Sequence, residues 1–305
     1  MKVIITGANS AVGQAILRSD TIRGVGPKKI VAAVRSNRAA EQLRSLRRNG
    51  DGVVQISYEQ PESLDAVFEG ASAIIHLAGV LVETPDSSYE RANVASTRSV
   101  VEAAKRTSVP KLVLVSATGA DKNSSNRYYR TKGEAESLVR ISGLCYTVLR
   151  APLLLGPGTA GAAMLSRNLN EGRAKLIDGG RSIQQPLHVD DLAHAAMVST
   201  DASVAKNLTL DIVGPVSLSE RQLVERAARL LGRKVRITSI SKRLLFFLLT
   251  VRRYFGMPGF SRDALEVVTA DTQLNAQLSA SELGIQLRGI DQMIIDSVGL
   301  GTKHE

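Results

Sequence analysis

Tyr128 and Lys132 stand four positions apart in the run 128–132, whose sequence is YYRTK. On a helix, residues at this spacing lie one above the other on the same face, so the phenol and the ammonium can serve one site. A free tyrosine has a pKa of about 10 and is a poor acid or base at neutral pH. A cation about 4 Å away, at an effective dielectric constant of about 20, can stabilise the phenolate by up to roughly 4 kcal/mol. We therefore expect Lys132 to lower the pKa of Tyr128, which could then exchange a proton with a carbonyl or alcohol oxygen while a hydride moves.

The spacing of Tyr128 and Lys132 is more significant because a glycine-bearing turn, TGANSAVG at 6–13, lies about 115 residues earlier in the chain. Gly7 and Gly13 bracket the passage from a first strand into a first helix, and the amides at a helix N-terminus suit a pyrophosphate. Ser10 can cap that helix with its hydroxyl. Any tight turn favours glycine, but the position at the first strand predicts phosphate binding. The predicted phosphate-binding residues are Gly7, Asn9, Ser10, Ala11, Val12 and Gly13.

The residues after the second predicted strand bear on the choice of cofactor. Arg35, Ser36 and Arg38 follow Val34, and no Asp or Glu occurs between Asp20 and Glu41. Folds that prefer the unphosphorylated dinucleotide usually carry a carboxylate here, whereas arginine pairs with a 2′-phosphate. We predict that Arg35, Ser36 and Arg38 bind the cofactor and that NADP(H) is favoured over NAD(H). The alternative is that both arginines are ordinary solvated residues at the start of a helix.

Apolar runs alternate with helical segments through the first two thirds of the chain. Several runs are uninterrupted, as expected for strands buried on both faces of a parallel sheet. The predicted strands are 3–6, 30–34, 53–56, 73–77, 112–116 and 146–149. Their alternation with helices predicts an α/β fold with a Rossmann-type, doubly wound parallel sheet. The alternation ends after Arg150, so we predict a dinucleotide-binding domain over 1–150 and a smaller mixed substrate lobe over 151–305, with strands of the main sheet possible from 184–215.

Composition limits the classes of partner. The chain has 305 residues with 44% hydrophobic residues, enough for a sizeable core. Trp is absent and aromatic residues make up 4%, so stacking platforms for single-stranded nucleic acid are scarce. The formal net charge is +10, but the 39 basic residues are scattered rather than gathered in one block. These features favour a small-molecule substrate and an anionic cofactor over nucleic acid.

Cysteine usage and the N-terminus predict a cytoplasmic protein. Cys145 is the only cysteine, so neither an intrachain disulfide nor a cysteine-rich metal site can form, which fits a reducing compartment. The first strand begins at Lys2 with no basic leader or cleavage site before it, so no export signal is expected. We predict no metal site.

The run 244–251, LLFFLLTV, is too short to span a bilayer, which takes about 20 apolar residues. Lys242 and Arg243 precede it, and Arg252 and Arg253 follow it. The favoured interpretation is a helix packed over the substrate cleft. The alternative is a peripheral membrane contact through 242–253, in which an amphipathic helix lies on an anionic membrane surface.

These motifs together resemble the short-chain dehydrogenase/reductase superfamily, in its extended and atypical branch, along nearly the whole chain. The matching runs are TGANSAVG, HLAG at 76–79, NVASTRSVVEAAK from Asn93, VSATGA from Val115 and YYRTK. The resemblance implies that Leu77, Ala78 and Gly79 back the cofactor and that Thr118 is the catalytic hydroxyl, with Ser116 as a second candidate. It also implies that Tyr128 is the acid/base and that Lys132 holds the nicotinamide ribose as well.

Two later motifs follow the same resemblance, LRAPLLLGPG from Leu149 and PLHVDDLAHA from Pro186. In the second, we expect Asp190 or Asp191 to act as a helix cap and first-turn charge rather than as a catalytic group. His188 could touch substrate, but a packing role is favoured over that one.

The chain departs from the family pattern at several positions. Ser10 and Ala11 stand where family members carry glycine, which narrows the approach to the pyrophosphate. Ser57 occupies the place of an aspartate that commonly contacts adenine, so that contact falls to Ser57, Tyr58 or the backbone. Leu153 replaces the asparagine of the RxxNxxGP motif of sugar-nucleotide enzymes. A UDP-sugar substrate is therefore disfavoured.

Three functions follow from this sequence. The preferred one is NAD(P)(H)-dependent hydride transfer to or from a carbonyl or alcohol of a small, rather apolar substrate. The second is a dinucleotide-binding assembly protein without chemistry, because the basic C-terminal lobe is similar to that of bacterial relatives of the Rossmann-fold accessory subunit of complex I. The third is a nucleotide-sugar epimerase or dehydratase. By resemblance, helices at 90–107 and 127–142 are candidates for an oligomer contact.

Overall fold

Thirteen strands occur in the part of the chain that the computed structural model describes, namely residues 1–19, 22, 29–46, 50–254 and 260–299. In chain order they are β1 (Lys2–Thr6), β2 (Lys29–Val34), β3 (Gly52–Gln55), β4 (Ala73–His76), β5 (Lys111–Ala117), β6 (Cys145–Ala151), β7 (Leu154–Leu155), β8 (Arg173–Ile177), β9 (Ile183–Gln184), β10 (Leu187–His188), β11 (Leu208–Asp211), β12 (Leu218–Ser219) and β13 (Arg236–Ile240). Seven of them form one sheet in the order β11–β6–β5–β4–β1–β2–β3, and each neighbouring pair is parallel. The predicted doubly wound parallel sheet is confirmed.

Helices cover both faces of this sheet. In chain order they are α1 (Ala11–Arg18), α2 (Asn37–Arg44), α3 (Pro61–Phe68), α4 (Ser96–Arg106), α5 (Arg127–Arg140), α6 (Ala160–Asn170), α7 (Val189–Val198), α8 (Glu220–Leu230), α9 (Lys242–Tyr254), α10 (Arg262–Val268), α11 (Ala276–Leu283) and α12 (Ile290–Val298). A π-helical turn (Glu90–Ala95) leads directly into α4.

Side chains alternate between two cores, one on each face of the sheet. In β1, Val3 and Ile5 belong to the core under α1 and α7, whereas Ile4 belongs to the core under α3, α4 and α5. All three are fully buried. Strands that are buried on both faces need the near-continuous apolar sequences by which they were predicted.

The chain after β6 serves both the sheet and a smaller lobe. Helix α7 packs on α1, and β11 adds the edge strand beside β6. The lobe has its own apolar core, which α6, α8 and α12 build with β8. Short strand pairs join its parts, β7 with β10, β8 with β13 and β9 with β12. The lobe thus stands at the carboxyl end of the sheet, where α/β proteins bind ligands.

The first turn brings β1, α1 and the turn after β4 close together. Gly7 has a φ of +71°, and a Cβ atom on it would lie 2.8 Å from the Ala78 amide nitrogen. A Cβ on Gly13 would lie 2.3 Å from the Ala8 carbonyl oxygen. Both approaches need glycine because the opposing atoms are backbone and cannot rotate away.

Replacing Gly13 by alanine should therefore destabilise the fold. We expect a loss of about 2 kcal/mol or more in the free energy of unfolding, because α1 must move away from Ala8. Gly289→Ala is the matched control, since Gly289 has a negative φ and a Cβ on it would meet no atom within 4 Å. Chemical denaturation measures both variants. Equal stability of Gly13→Ala and Gly289→Ala would contradict the close-packing argument.

Candidate functional site

A cleft of about 1090 Å³ runs along the carboxyl ends of β1, β2, β3 and β4. Nine of the predicted cofactor residues line it: Gly7, Asn9, Ser10, Arg35, Ser36, Ser57, Leu77, Ala78 and Gly79. Four loops that are far apart in sequence thus meet at one edge of the sheet, as the strand order 4–1–2–3 requires.

Five predicted cofactor residues are not among those that line the cleft: Ala11, Val12, Gly13, Arg38 and Lys132. Val12 and Gly13 are buried in the packing of α1, and Gly13 acts by letting that helix approach Ala8. Arg38 is the second residue of α2, where it is exposed and is not among the residues that line the cleft. The sequence pattern identified the turn correctly but did not separate residues that face the cleft from those that pack behind it.

Serine caps hold the two helices that start at the cleft. Ser10 Oγ accepts a hydrogen bond from the Gly13 amide at 3.2 Å, and Ser36 Oγ accepts one from the Ala39 amide at 3.3 Å. Arg35 is exposed at the cleft, and its carbonyl oxygen accepts a hydrogen bond from Gln55 Nε2. The capped N-terminus of α1, through Asn9 and Ser10, and Arg35 therefore lie at the same opening, an arrangement suited to phosphate groups.

Tyr58 and Ser57 form the far end of the cleft. The Ser57 amide donates to Ser63 Oγ at 3.0 Å, and the Ser99 hydroxyl donates to the Tyr58 carbonyl at 2.6 Å. The Tyr58 ring packs edge-to-face on His76, with 6.1 Å between ring centroids. Burial raises the pKa of Tyr58 to about 12. Sequence reasoning missed Ser63 and Ser99, because serines on α3 and α4 carry no motif.

Lys132 is buried beneath the turn after β4. Its Nζ donates to the Val115 carbonyl oxygen at 3.1 Å. A Cβ on Gly79 would lie 3.2 Å from Lys132 Nζ and 2.9 Å from Asn93 Oδ1, so a side chain there would displace the ammonium or the amide. Burial lowers the pKa of Lys132 to about 8, although the Glu136 carboxylate one turn further along α5 opposes the shift.

The π-helical turn positions Asn93 against this lysine. Asn93 Oδ1 accepts from the Val80 amide at 3.2 Å, and its Nδ2 donates to Thr131 Oγ1 at 3.0 Å. One side chain thus ties the turn after β4 to α5, next to Lys132. Such π-turns occur frequently at functional sites.

His76 lies at the end of β4, below the cleft. Its Nδ1 is 2.6 Å from Thr6 Oγ1, and its Nε2 is buried without a hydrogen-bond partner among the residues described. Burial lowers the pKa of His76 to about 3, with the nearby charge of Lys132 acting in the same direction. His76 is therefore neutral at physiological pH.

Tyr128 stands on α5 as predicted, one turn before Lys132, but its electrostatic surroundings differ from the expectation. Its ring is flanked by those of Tyr89 and Tyr129, with centroid distances of 5.8 and 5.7 Å. Burial raises the pKa of Tyr128 above its ordinary value, and the two neighbouring phenols raise it further. The Lys132 ammonium is not among the groups that shift this pKa, and it donates to the Val115 carbonyl instead. The expected lowering of the Tyr128 pKa is therefore not observed, and the phenol is protonated at neutral pH.

The two candidate hydroxyls after β5 are both buried. Within the described residues, neither Ser116 Oγ nor Thr118 Oγ1 has a hydrogen-bond partner of normal geometry. Thr118 lies near Asp211, whose pKa is raised by burial and held down by Arg150 and by Thr118 itself. The structure brings Ser116 next to the carbonyl that binds Lys132, and turns Thr118 toward β11.

The start of α5 is attached to the lobe. Asn126 Oδ1 caps the helix by accepting from the Tyr128 and Tyr129 amides, while its Nδ2 donates to the Asp263 carbonyl and to Glu266. The position of Tyr128 thus depends on α10. Sequence reasoning did not find this contact, because nothing local links residues 126 and 263.

Tyr89 lies beside Tyr128, and the two rings pack against each other. It is fully buried, and its hydroxyl donates to the Leu81 carbonyl at 2.7 Å. The Arg127 guanidinium lies 5.5 Å from the Tyr89 ring centroid and makes two hydrogen bonds to Glu83, at 2.9 and 3.0 Å. Arg127 and Glu83 thus hold the Tyr89 ring in place beside Tyr128.

The residues of the later motif have packing roles. His188 is buried and caps α7 by accepting from the Asp190 amide at 3.1 Å. Asp191 accepts from the Arg288 amide at 2.8 Å and also pairs with its guanidinium. This network fastens α7 to the segment before α12. Among the described residues, no group of three or more His, Cys, Asp or Glu side chains could hold a metal ion.

None of the helices within the described ranges is long and apolar enough to cross a membrane.

The fold is shared with solved sugar-nucleotide enzymes. One is the UDP-glucuronic acid 4-epimerase of Bacillus cereus, solved with UDP-glucuronic acid and NAD, with a TM-score of 0.78 over 98% of both chains. The two sequences are 13% identical, so this likeness concerns the fold alone. It bears out the resemblance to the extended branch of short-chain dehydrogenases/reductases at that level.

Two curated proteins are similar in sequence. The ceramide reductase of Caulobacter vibrioides is 26% identical over 235 residues, which cover 77% of this chain and 72% of that protein. Subunit 9 of the NADH dehydrogenase [ubiquinone] 1 alpha subcomplex of Arabidopsis thaliana is 28% identical over 190 residues, which cover 60% of this chain and 47% of that protein. A model of the NAD(P)H-binding family matches residues 7–177, more than half of the chain. This protein is therefore a member of the NAD(P)H-binding family.

Proposed function

We propose that the protein is an NADP(H)-dependent oxidoreductase that reduces a carbonyl group of a small, rather apolar molecule. The observation that carries this proposal is the group of buried polar atoms at the carboxyl end of β5. There the hydroxyls of Ser116 and Thr118 lack partners among the described residues, and the Lys132 ammonium donates to the carbonyl oxygen of Val115, the residue before Ser116. Buried polar atoms without partners are rare in native proteins, and a substrate oxygen would satisfy them.

The cleft fits a dinucleotide on several grounds. Gly7 lines it at the point where the turns after β1 and β4 pack together, Arg35 offers a cation for a 2′-phosphate, and Ser87 lines it with a buried hydroxyl that has no partner in the described part of the chain. Its volume of about 1090 Å³ exceeds that of most drug-sized sites, which hold roughly 300–1,000 Å³. When bound, a nicotinamide cofactor supplies or accepts the hydride.

The protonated state of Tyr128 is the one that reduction of a carbonyl requires. A phenol that keeps its proton at neutral pH can donate it to a carbonyl oxygen, whereas alcohol oxidation needs a phenolate to receive one. Ser116 or Thr118 would hold that oxygen by a hydrogen bond. Lys132, with a pKa of about 8, would carry its charge at neutral pH and hold the sugar next to the reacting ring. The similarity to a protein named ceramide reductase also supports a reductase.

The likeness to the complex I subunit keeps a second function open, that of a dinucleotide-binding assembly protein without turnover.

The surroundings of Leu153 argue against a nucleotide-sugar enzyme. Leu153 packs on the apolar core of the lobe, and a Cβ on Gly161 would lie 3.1 Å from its Cδ1. An amide side chain at this position would lose that packing, so Leu153 does not serve as a polar contact to a nucleotide.

Tyr128→Phe should reduce turnover by about a thousandfold or more, since general acid catalysis contributes roughly 10²–10⁴-fold, and should leave NADPH affinity nearly unchanged. NADPH oxidation with a panel of ketones, aldehydes and quinones measures this effect. Tyr129→Phe is the matched control, because Tyr129 is the adjacent ring and packs on Gly119. Wild-type rates in the Tyr128 variant would remove Tyr128 from the chemistry. NADPH binding by the wild type without turnover on any panel member would favour the assembly function.

Arg35→Asp should weaken NADPH binding by about 10- to 100-fold, the range for loss of a charge-assisted hydrogen bond to phosphate. NADH affinity should change by less than about threefold, because NADH lacks the 2′-phosphate. The control is Arg44→Asp, the same charge change at a residue that pairs with Glu41 on α2. Fluorescence titration with both cofactors distinguishes the two cases. Equal losses for NADPH and NADH would refute the 2′-phosphate role of Arg35.

Cofactor affinity should fall as the pH rises through about 8. The pKa of Lys132 is lowered to about 8, so its ammonium is charged below that pH and neutral above it. A bound anion favours the charged form and moves the fall to somewhat higher pH. Lys132→Gln should bind NADPH weakly and with little pH dependence over the same range. Parallel pH profiles for the two proteins, measured where both remain folded, would show that Lys132 does not hold the cofactor by charge.

A further inference from the structure

Helix α9 exposes a continuous apolar stripe. Leu244, Phe247, Leu248 and Val251 have exposed fractions of 53%, 65%, 50% and 39%. Their spacing of i, i+3, i+4 and i+7 places them on one helix face. Single exposed apolar residues are ordinary, but a contiguous patch of large ones marks an interaction surface.

The opposite side of the helix holds it on the lobe. Leu245, Phe246 and Leu249 are half-buried. The Arg262 guanidinium of α10 lies 4.9 Å from the Phe246 ring centroid, and the Lys242 ammonium lies 5.7 Å from it. These contacts attach one face of α9 to α10 and leave the stripe unexplained.

The charge around this helix is strongly positive. Between Glu225 and Asp263 the sequence has ten Lys or Arg residues and no Asp or Glu. The whole chain has a formal net charge of +10, so the rest of the sequence is balanced. Although basic residues are scattered along the chain, the excess of positive charge is confined to the stretch that contains α9. A partner for the stripe must accept both apolar and cationic groups.

We propose that α9 lies on the surface of an anionic phospholipid membrane. Its 13 residues span about 20 Å, less than the roughly 30 Å of a hydrocarbon core, so the helix lies along the surface and inserts only the stripe. Arg243, which is exposed beside the stripe, would meet the headgroups, and the sequence run ends in two further cations, Arg252 and Arg253. A second copy of the chain is a poorer partner, because a two-fold contact would bring the same positive charges together.

Vesicle sedimentation tests this proposal with the intact chain. The wild type should pellet with vesicles that contain phosphatidylglycerol and much less with phosphatidylcholine alone, and salt should weaken the binding. The variant Leu244→Ser/Phe247→Ser/Leu248→Ser should lose about tenfold or more in partitioning. Ile141→Ser/Leu278→Ser is the matched control, since these residues are 81% and 73% exposed outside the stripe.

If the serine variant misfolds, a charge variant still tests the proposal. Arg243→Glu should weaken binding to anionic vesicles, whereas Arg98→Glu, at an exposed position on α4, should not. Failure of the wild type to pellet with anionic vesicles, or equal pelleting of wild type and stripe variants, would overturn the proposal. So would a wild-type dimer that the serine variant dissociates, because a second copy would then cover the stripe. The result is independent of the proposed chemistry, since Tyr128→Phe should pellet like the wild type.

Discussion

The burial of one ammonium group, that of Lys132, constrains most of the candidate site. A buried cation is tolerated only where hydrogen bonds and opposite charge replace its water. Here the Val115 carbonyl accepts its hydrogen bond, and the Glu136 carboxylate supplies favourable charge one turn away. Glu136 is itself fully buried and bonded to Arg150 and Arg140. A chain of paired charges thus runs from the end of β5 along α5 to β6 and fixes how this helix sits on the sheet.

The same cation sets the protonation states around it. His76 stays neutral because burial and Lys132 both disfavour its charged form, so it contributes a neutral ring under Tyr58. Tyr128 lies one turn before Lys132 on α5. The Lys132 ammonium donates to the Val115 carbonyl, and the Tyr128 ring lies between the rings of Tyr89 and Tyr129. The site therefore holds a protonated tyrosine together with a lysine that titrates near neutrality. That combination suits proton delivery to an oxygen more than proton removal from one.

Local patterns predicted the sheet, the glycine turn and the placement of Tyr128 and Lys132 on one helix, because each depends on neighbours in sequence. The pKa of Tyr128 could not be predicted in this way. Its direction is decided by burial and by Tyr89, which comes from a different part of the chain, and no spacing rule reports that contact. The positions of Gly13 and Arg38 relative to the cleft could not be predicted for a related reason. A motif names the residues of a turn, whereas only the packed structure shows which of them face the cleft.

The lobe is part of the site because its α10 fixes the start of α5. Asn126 satisfies two amides of α5 and two oxygen atoms of α10 with a single side chain, and the Arg127 amide donates to Asp263. Helix α10 also supplies the arginine on which Phe246 of α9 rests. The same short helix therefore contacts both the helix that carries Tyr128 and the helix that carries the apolar stripe. The proposed membrane surface of α9 and the start of α5 are therefore separated by one intermediate helix.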